Sequence, residues 1–305
     1  MDEGKPSSNS GPLLFIDTNI LLDFYRAKND AALTLLEKVN FRHNVIITSC
    51  HVGMEFKKNR QGVILEVVNN LKASDLRIAL PHFLHESEPN KVIQRNIKDI
   101  NHQVEELKKS MQMLIEDPVT HDLVFASACK LFSNQSAFNL KKESADYQRV
   151  YRKACKRFFE GKPPRKRGET SIGDAINWEW VLQCMRRTGR NVILASRDGD
   201  FGATYNNTCY LNDWLSEEVK EIDATLTVTL VSSLAEALKL LSVRLSNEEL
   251  VSEMEMLLPQ NPEAKANFDW IQTVSCHTSA RLAEIFFKDL DGLREKLLMP
   301  SGKPN

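Results

Sequence analysis

No segment of this 305-residue chain stays apolar for eighteen residues together, so no membrane-spanning helix is expected. The opening stretch MDEGKPSSNSGP holds no hydrophobic core, and it reads as a disordered tail over 1–12 rather than a secretory signal. The six cysteines form no C-x-x-C pair and no Cys/His spacing of a zinc site. They are expected to be reduced, as in a cytoplasmic protein. The seven histidines show no ligand spacing either. Also missing are a P-loop, a G-x-G-x-x-G fingerprint and a G-x-S-x-G elbow, which sets aside the chemistries those motifs serve. Charge of one sign is missing overall, the formal net charge being -1.

What is present is the balance of a globular protein, 42% hydrophobic and 27% charged, with enough length for one large domain or two smaller ones. Short continuous apolar runs recur at Leu13–Ile16, Val45–Thr48, Val192–Ala195 and Thr227–Val231. Such runs fit strands covered on both faces. Arg77–Leu80 is a weaker candidate. Ser49 and Ser232–Ser233 follow two of the runs as helix N-caps. Between the runs the chain reads as helical, so the expected class is α/β with a parallel, Rossmann-like sheet. Ligands in such sheets bind beyond the carboxyl ends of the strands.

The stretch from about 89 to 160 reads as a long helical insertion. Within it Ile93, Ile97, Ile100, Val104, Leu107, Met111 and Leu114 alternate in steps of four and three, a heptad seam. It packs either on a helix of the same chain or on a second subunit or protein partner. From Ser246 the chain turns acidic and helical, and Pro259 and Pro262 break it before an apolar set from Ile271 to Leu290. The expected organisation is a tail over 1–12, a main domain over 13–245 and a C-terminal helical extension over 246–305, itself a further candidate for partner contacts.

Five acids share a context. Asp17 ends the first run; Glu55 lies in the helix after the second; Asp174 begins a helix in SIGDAINWEW; Asp198 and Asp200 follow the third run in ASRDGDFG. Each alone is an ordinary turn, cap or surface residue. Carboxylates converging on one sheet edge repel, and a divalent cation relieves that repulsion. Magnesium takes carboxylates, waters and phosphate oxygens, and two ions roughly 4 Å apart serve phosphodiester cleavage.

FIDTNILLDFYR resembles the opening motif of PIN-domain nucleases, in particular the PIN-like group with a large helical insertion. EFKKNR, EGKPPRKRGETSIGDAINWEW and VILASRDGDFG are similar to that group's second, third and fourth segments, in the same order. The resemblance spans roughly Leu13 to Leu241. It implies a Rossmann-like sheet with its acids at the carboxyl edge. It implies Asp17, Glu55, Asp174 and one or both of Asp198 and Asp200 as ligands of Mg2+ or Mn2+, with Asn19 and Ser196 orienting them. Some members carry Thr at the position of Ser196, and the spacing of acids after it varies; Asp198 is read as the ligand and Asp200 as its support.

Between Lys141 and Gly168 stand eleven basic residues against three acids. Lys162, Arg165, Lys166 and Arg167 precede Asp174 closely and suit phosphate contacts, and Arg60, near Glu55, joins them. Tyr147, Tyr151, Phe158 and Phe159 interleave with these charges. They read first as core, with stacking on bases as the alternative. His51 reads as a packing residue, and so do Trp178 and Trp180. The expected function is a metal-dependent endonuclease of nucleic acid, with RNA favoured over DNA, in the manner of a toxin or bacterial defence effector. The alternative is a PIN fold that binds nucleic acid or assembles without cutting.

Overall fold

A computed structural model describes residues 11–73, 76, 79–165, 171–206 and 208–257. The sheet grows from the apolar runs. Strand β1 (Leu13–Ile16) is buried at every position, so both of its faces are covered. It ends where Asp17 accepts a hydrogen bond from Thr18 N, which starts helix α1 (Thr18–Leu22). A 3-10 turn (Asp23–Arg26) and helix α2 (Ala31–Phe41) lead to strand β2 (Ile46–Ser49), parallel to β1 with Leu14 opposite Ile46. Ser49 then accepts from His51 N and Val52 N and caps helix α3 (Cys50–Asn70), which puts Glu55 in its second turn.

The central stretch holds α4 (Glu88–Glu116), α5 (Pro118–His121), α6 (Leu123–Ser133), β3 (Asn139–Leu140) and α7 (Tyr147–Phe159). It is not wholly helical: β3 pairs in parallel with β2, Thr48 opposite Asn139, and extends the sheet. Two residues carry no periodicity, so the sequence does not announce this strand. Side-chain bonds hold it instead. The Asn139 amide donates to the carbonyls of Phe132 and Asn134, and Trp180 Nε1 to that of Phe138.

Helix α4 packs on α3, but none of its residues is buried. Ile93, Ile97, Val104, Met111 and Leu114 are half-buried, whereas Ile100 and Leu107 of the same seam are 51% and 54% exposed. The candidate strand Arg77–Leu80 falls partly outside the described residues, and Ala79 and Leu80 join no strand.

Helix α8 (Gly173–Thr188) crosses the core and carries the buried Trp178 and Trp180. It stops at Gly189, whose φ of 61° suits glycine. Strand β4 (Val192–Ala195) follows beside β1. A hairpin that the sequence reading did not contain comes next, β5 (Gly202–Tyr205) with β6 (Thr208–Leu211). Helix α9 (Asp213–Lys220), strand β7 (Val228–Val231), α10 (Leu234–Leu240) and α11 (Asn247–Leu257) complete the described chain. The α11 helix is held through its acids. Glu253 accepts from Ser233 Oγ and Ala235 N at the start of α10, at 2.7 and 2.8 Å, and Glu249 accepts from Lys38 Nζ and Thr34 Oγ1 on α2. The apolar set from Ile271 to Leu290 lies outside the described residues.

The main sheet among the described residues has five parallel strands in the order β3-β2-β1-β4-β7. The chain steps outward from β1 to β2 and β3, then returns to the other side of β1. The reversal falls between β1 and β4, where an open parallel sheet has its crevice.

Candidate metal centre at the carboxyl edge

Asp17 and Ser196 end the two strands that flank the reversal, and register brings them together. Ile16 lies opposite Ala195, and Asp17 N donates to Ala195 O at 2.9 Å. Asp17 is 5% exposed. Its Oδ1 accepts from Thr18 N at 2.7 Å, and its Oδ2 accepts from Ser196 Oγ at 2.5 Å and from Asn19 Nδ2 at 2.9 Å. Ser196 Oγ in turn accepts from Asp198 N at 3.0 Å, and Asp200 N donates to Asp198 Oδ1 at 3.1 Å. One buried hydroxyl thus links the acid of β1 to the turn that carries Asp198 and Asp200.

Glu55 arrives from α3. Its Oε2 accepts from Thr18 Oγ1 at 3.3 Å. Its Oε1 lies so close to Gly173 that a Cβ there would stand 2.5 Å away. The first residue of α8 is therefore glycine for reasons of space, and Asp174 is the residue after it. The start of the sixteen-residue α8 also offers the positive end of a helix dipole to nearby acids.

Asp174, Asp198 and Asp200 each present a carboxylate oxygen, and these oxygens all lie within 4.8 Å of one another. All three are half-buried. Hard carboxylate oxygens at this separation could hold a divalent cation, which would offset their like charges. Asp17 and Glu55 stand outside this group of three and join it through Ser196, Thr18 and Gly173.

Residues 14–201 match a family model described as a PIN domain. The chain belongs to the PIN-domain family. Comparisons with curated proteins and with solved structures returned no match. PIN domains are generally nucleases and usually employ divalent metals. Among the described residues no helix is long and apolar enough to cross a membrane.

The basic residues of this PIN domain divide differently from the sequence expectation. Arg60 is 3% exposed, and its guanidinium is engaged within the fold. Its Nε donates to Asp122 Oδ2 at 2.8 Å and to Tyr25 Oη at 3.0 Å, and its guanidinium also reaches the Leu114 carbonyl. It ties α3 to the end of α4 and the start of α6. The Tyr25 hydroxyl is pushed up by burial and by its bond to Asp122. Arg60 is thus a structural residue, not a phosphate ligand. Arg157 is likewise buried, against Glu179 and Glu218 at 2.7 and 2.8 Å, so the basic stretch offers less free charge than its composition suggests.

Lys162 pairs with Glu160 at 2.7 Å and lies over the Trp214 ring. Arg165 is exposed, stacks on Phe158 and donates to its carbonyl at 2.8 Å. Lys166 and Arg167 lie outside the described residues.

Sequence reasoning passed over Thr18, Gly173 and Arg197. Thr18 carried no reading of its own, although a hydroxyl beside a strand-end aspartate can reach a second acid. Gly173 carried a readable signal, a glycine opening a helix just before a candidate ligand. Arg197 is exposed at the crevice, pairs with Asp23 and donates to the Ser232 carbonyl at 3.2 Å. Its place between Ser196 and Asp198 was the available sign.

Proposed function

We propose that this protein is a magnesium- or manganese-dependent endonuclease that hydrolyses phosphodiester bonds, with RNA preferred to DNA. The observation that carries the reading is the convergence of Asp174, Asp198 and Asp200 within 4.8 Å at the sheet reversal of a PIN domain. Asp174 and Asp198 hold the cation, with Asp17 and Glu55 completing the set, and Asp200 stands close enough to share the task. Ser196 and Asn19 fix the rotamer of Asp17, and Thr18 fixes that of Glu55, so the carboxylates need no rearrangement when substrate arrives. When bound, the cation supplies Lewis-acid stabilisation of phosphoryl oxygens and acidifies a water. In the net reaction the water oxygen bonds to phosphorus, one ester P–O bond breaks, and the leaving oxygen takes a proton.

Lys162, Arg165, Lys166 and Arg167 carry the phosphate backbone into this acidic crevice, which would otherwise repel it. The preference for RNA and a role as toxin or defence effector follow from resemblance to PIN-like nucleases with a helical insertion. The deciding experiment is cleavage of end-labelled single- and double-stranded RNA and DNA with magnesium, manganese or EDTA. Cleavage with either metal and none in EDTA is expected. Binding without cleavage under every condition would leave the alternative, a PIN fold that binds without cutting. The basic loop is checked separately. Replacing Arg165, Lys166 and Arg167 by Ala should flatten the salt slope of binding by roughly two to three units, one phosphate per residue. An unchanged slope would remove the loop from the substrate path.

A further inference from the structure

Three rings form a row outside the carboxylate cluster. His51 lies over Tyr147 with centroids 6.2 Å apart and planes 3° from parallel, and Tyr147 over Tyr151 at 5.9 Å and 22°. His51 Nε2 and Tyr147 Oη are 3.2 Å apart. Core packing accounts for only part of the row. Tyr147 is partly buried against the hydrophobic core beside Val150 and Ala154, whereas Tyr151, one turn on, is 37% exposed. The row begins beside the metal centre, because His51 precedes Glu55 by one turn of α3, about 6 Å along the axis.

Its surroundings are positive. Helix α7 contains no acid from Tyr147 to Phe159. Arg152, the residue after Tyr151, and Lys142, near His51, are exposed and make no ion pair among the described residues. Lys142 is close enough to add to burial in holding the His51 imidazole below its ordinary pKa. Parallel rings beside free cations complement a chain that has flat apolar faces and a phosphate backbone.

We propose that His51, Tyr147 and Tyr151, flanked by Lys142 and Arg152, form a base-stacking track that holds an unpaired nucleic-acid strand as it leaves the carboxylate cluster. The proposal rests on the nuclease reading for its biological sense, but the track binds whether or not the strand is cut. Bases within a duplex already have both faces stacked, so the track selects strands with free bases. It gives a function to α7 beyond its packing on α8.

The test uses the full chain carrying Asp174→Asn, which keeps substrate intact. Binding of fluorescent RNA and DNA oligonucleotides, single-stranded and duplex, is followed by anisotropy across a salt series. Tyr151→Leu should weaken single-strand binding by about 5- to 150-fold, the loss of one stacked base, and leave the salt slope alone. Tyr151→Phe should restore binding. Lys142→Ala with Arg152→Ala should instead flatten the slope by roughly 1.4 to 1.8 units. The RNA and DNA arms show which sugar the track accepts. Equal affinity of Tyr151→Leu and its parent, or equal losses on single strands and duplex, would overturn the track. Parallel cleavage assays on the otherwise unaltered chain separate the two readings. Strand binding lost in Tyr151→Leu without cleavage by the parent rejects the nuclease and keeps the track; cleavage with unaltered binding does the reverse.

Discussion

The two halves of the carboxylate site are built on opposite principles. Asp17 is nearly buried, yet three donors from the protein itself satisfy it: Thr18 N, Asn19 Nδ2 and Ser196 Oγ. Asp174, Asp198 and Asp200 instead bring like charges within 4.8 Å of one another. Hydrogen bonds to a carboxylate favour its charged form, and neighbouring carboxylates oppose it. The first half is satisfied by the donors around it, and the second concentrates like charge that a bound cation would relieve. A PIN domain built this way holds a rigid reference point beside a responsive one, with Ser196 coupling them.

The same isosteric change should therefore have opposite effects on the two halves. Asp174→Asn is expected to abolish cleavage while the apo protein melts at the same temperature or higher, because a repelling charge is gone. Asp17→Asn is also expected to abolish cleavage. It turns an amide NH2 toward donors, however, and should cost about 1–3 kcal/mol, a fall of roughly 2–10 °C in Tm. Calorimetry without metal checks both, and equal shifts of the same sign would dissolve the distinction. Manganese at a hundredfold excess over its Kd should then raise the stability of the unaltered protein by about 2.7 kcal/mol and that of Asp174→Asn by less.

A smaller effect is expected where the halves meet around Glu55. Gly173→Ala places a Cβ where Glu55 Oε1 now lies, and the carboxylate must swing aside. A displacement near 1 Å can cost about 100-fold in rate. Alanine at the start of a helix should meanwhile leave stability unchanged or slightly improved. Single-turnover rates and thermal melts report the two separately. Undiminished cleavage by Gly173→Ala would take Glu55 out of the site.

The smallest of these effects belongs to the coupling residue. Ser196→Ala removes the donor to Asp17 and the acceptor for Asp198 N while keeping every carboxylate. Loss of a group that orients ligands typically costs ~10–100-fold in metal affinity or activity. Ser196→Thr should retain most of the function, since the hydroxyl is kept. Titration with manganese, read by thermal shift, would show whether the coupling exists.

Much of the sheet was legible in the sequence for a physical reason. Strands covered on both faces need continuous apolar residues, and β1, β2 and β4 supply them at Leu13, Ile46 and Val192; the run from Val228 marked β7 as well, although Thr229 there is exposed. Strand β3 is two residues long, and β5 and β6 are mostly exposed, so neither leaves a pattern. Asp17, Asp198 and Asp200 follow strand ends and Asp174 opens a helix, which is what singles them out in the sequence; Glu55, inside α3, carries no such local sign. Arg60 could not be read: its partner Asp122 is 62 residues away, and nothing local distinguishes a buried guanidinium from an exposed one. The basic stretch misled in the same way, since Arg157 is neutralised by Glu179 and Glu218 from distant helices.

The order of the strands bears on where this protein can be cut. The family match ends at residue 201, but the neighbour that covers β4 on its outer side is β7, at Val228–Val231. A fragment stopping at 201 would keep all five acids and still present Val192, Ile193, Leu194 and Ala195 as an open, apolar edge. Such edges pair with copies of themselves. The shortest piece that stays soluble and active is therefore expected to run past β7 and to include α11, whose Glu253 accepts from the buried amides at the start of α10.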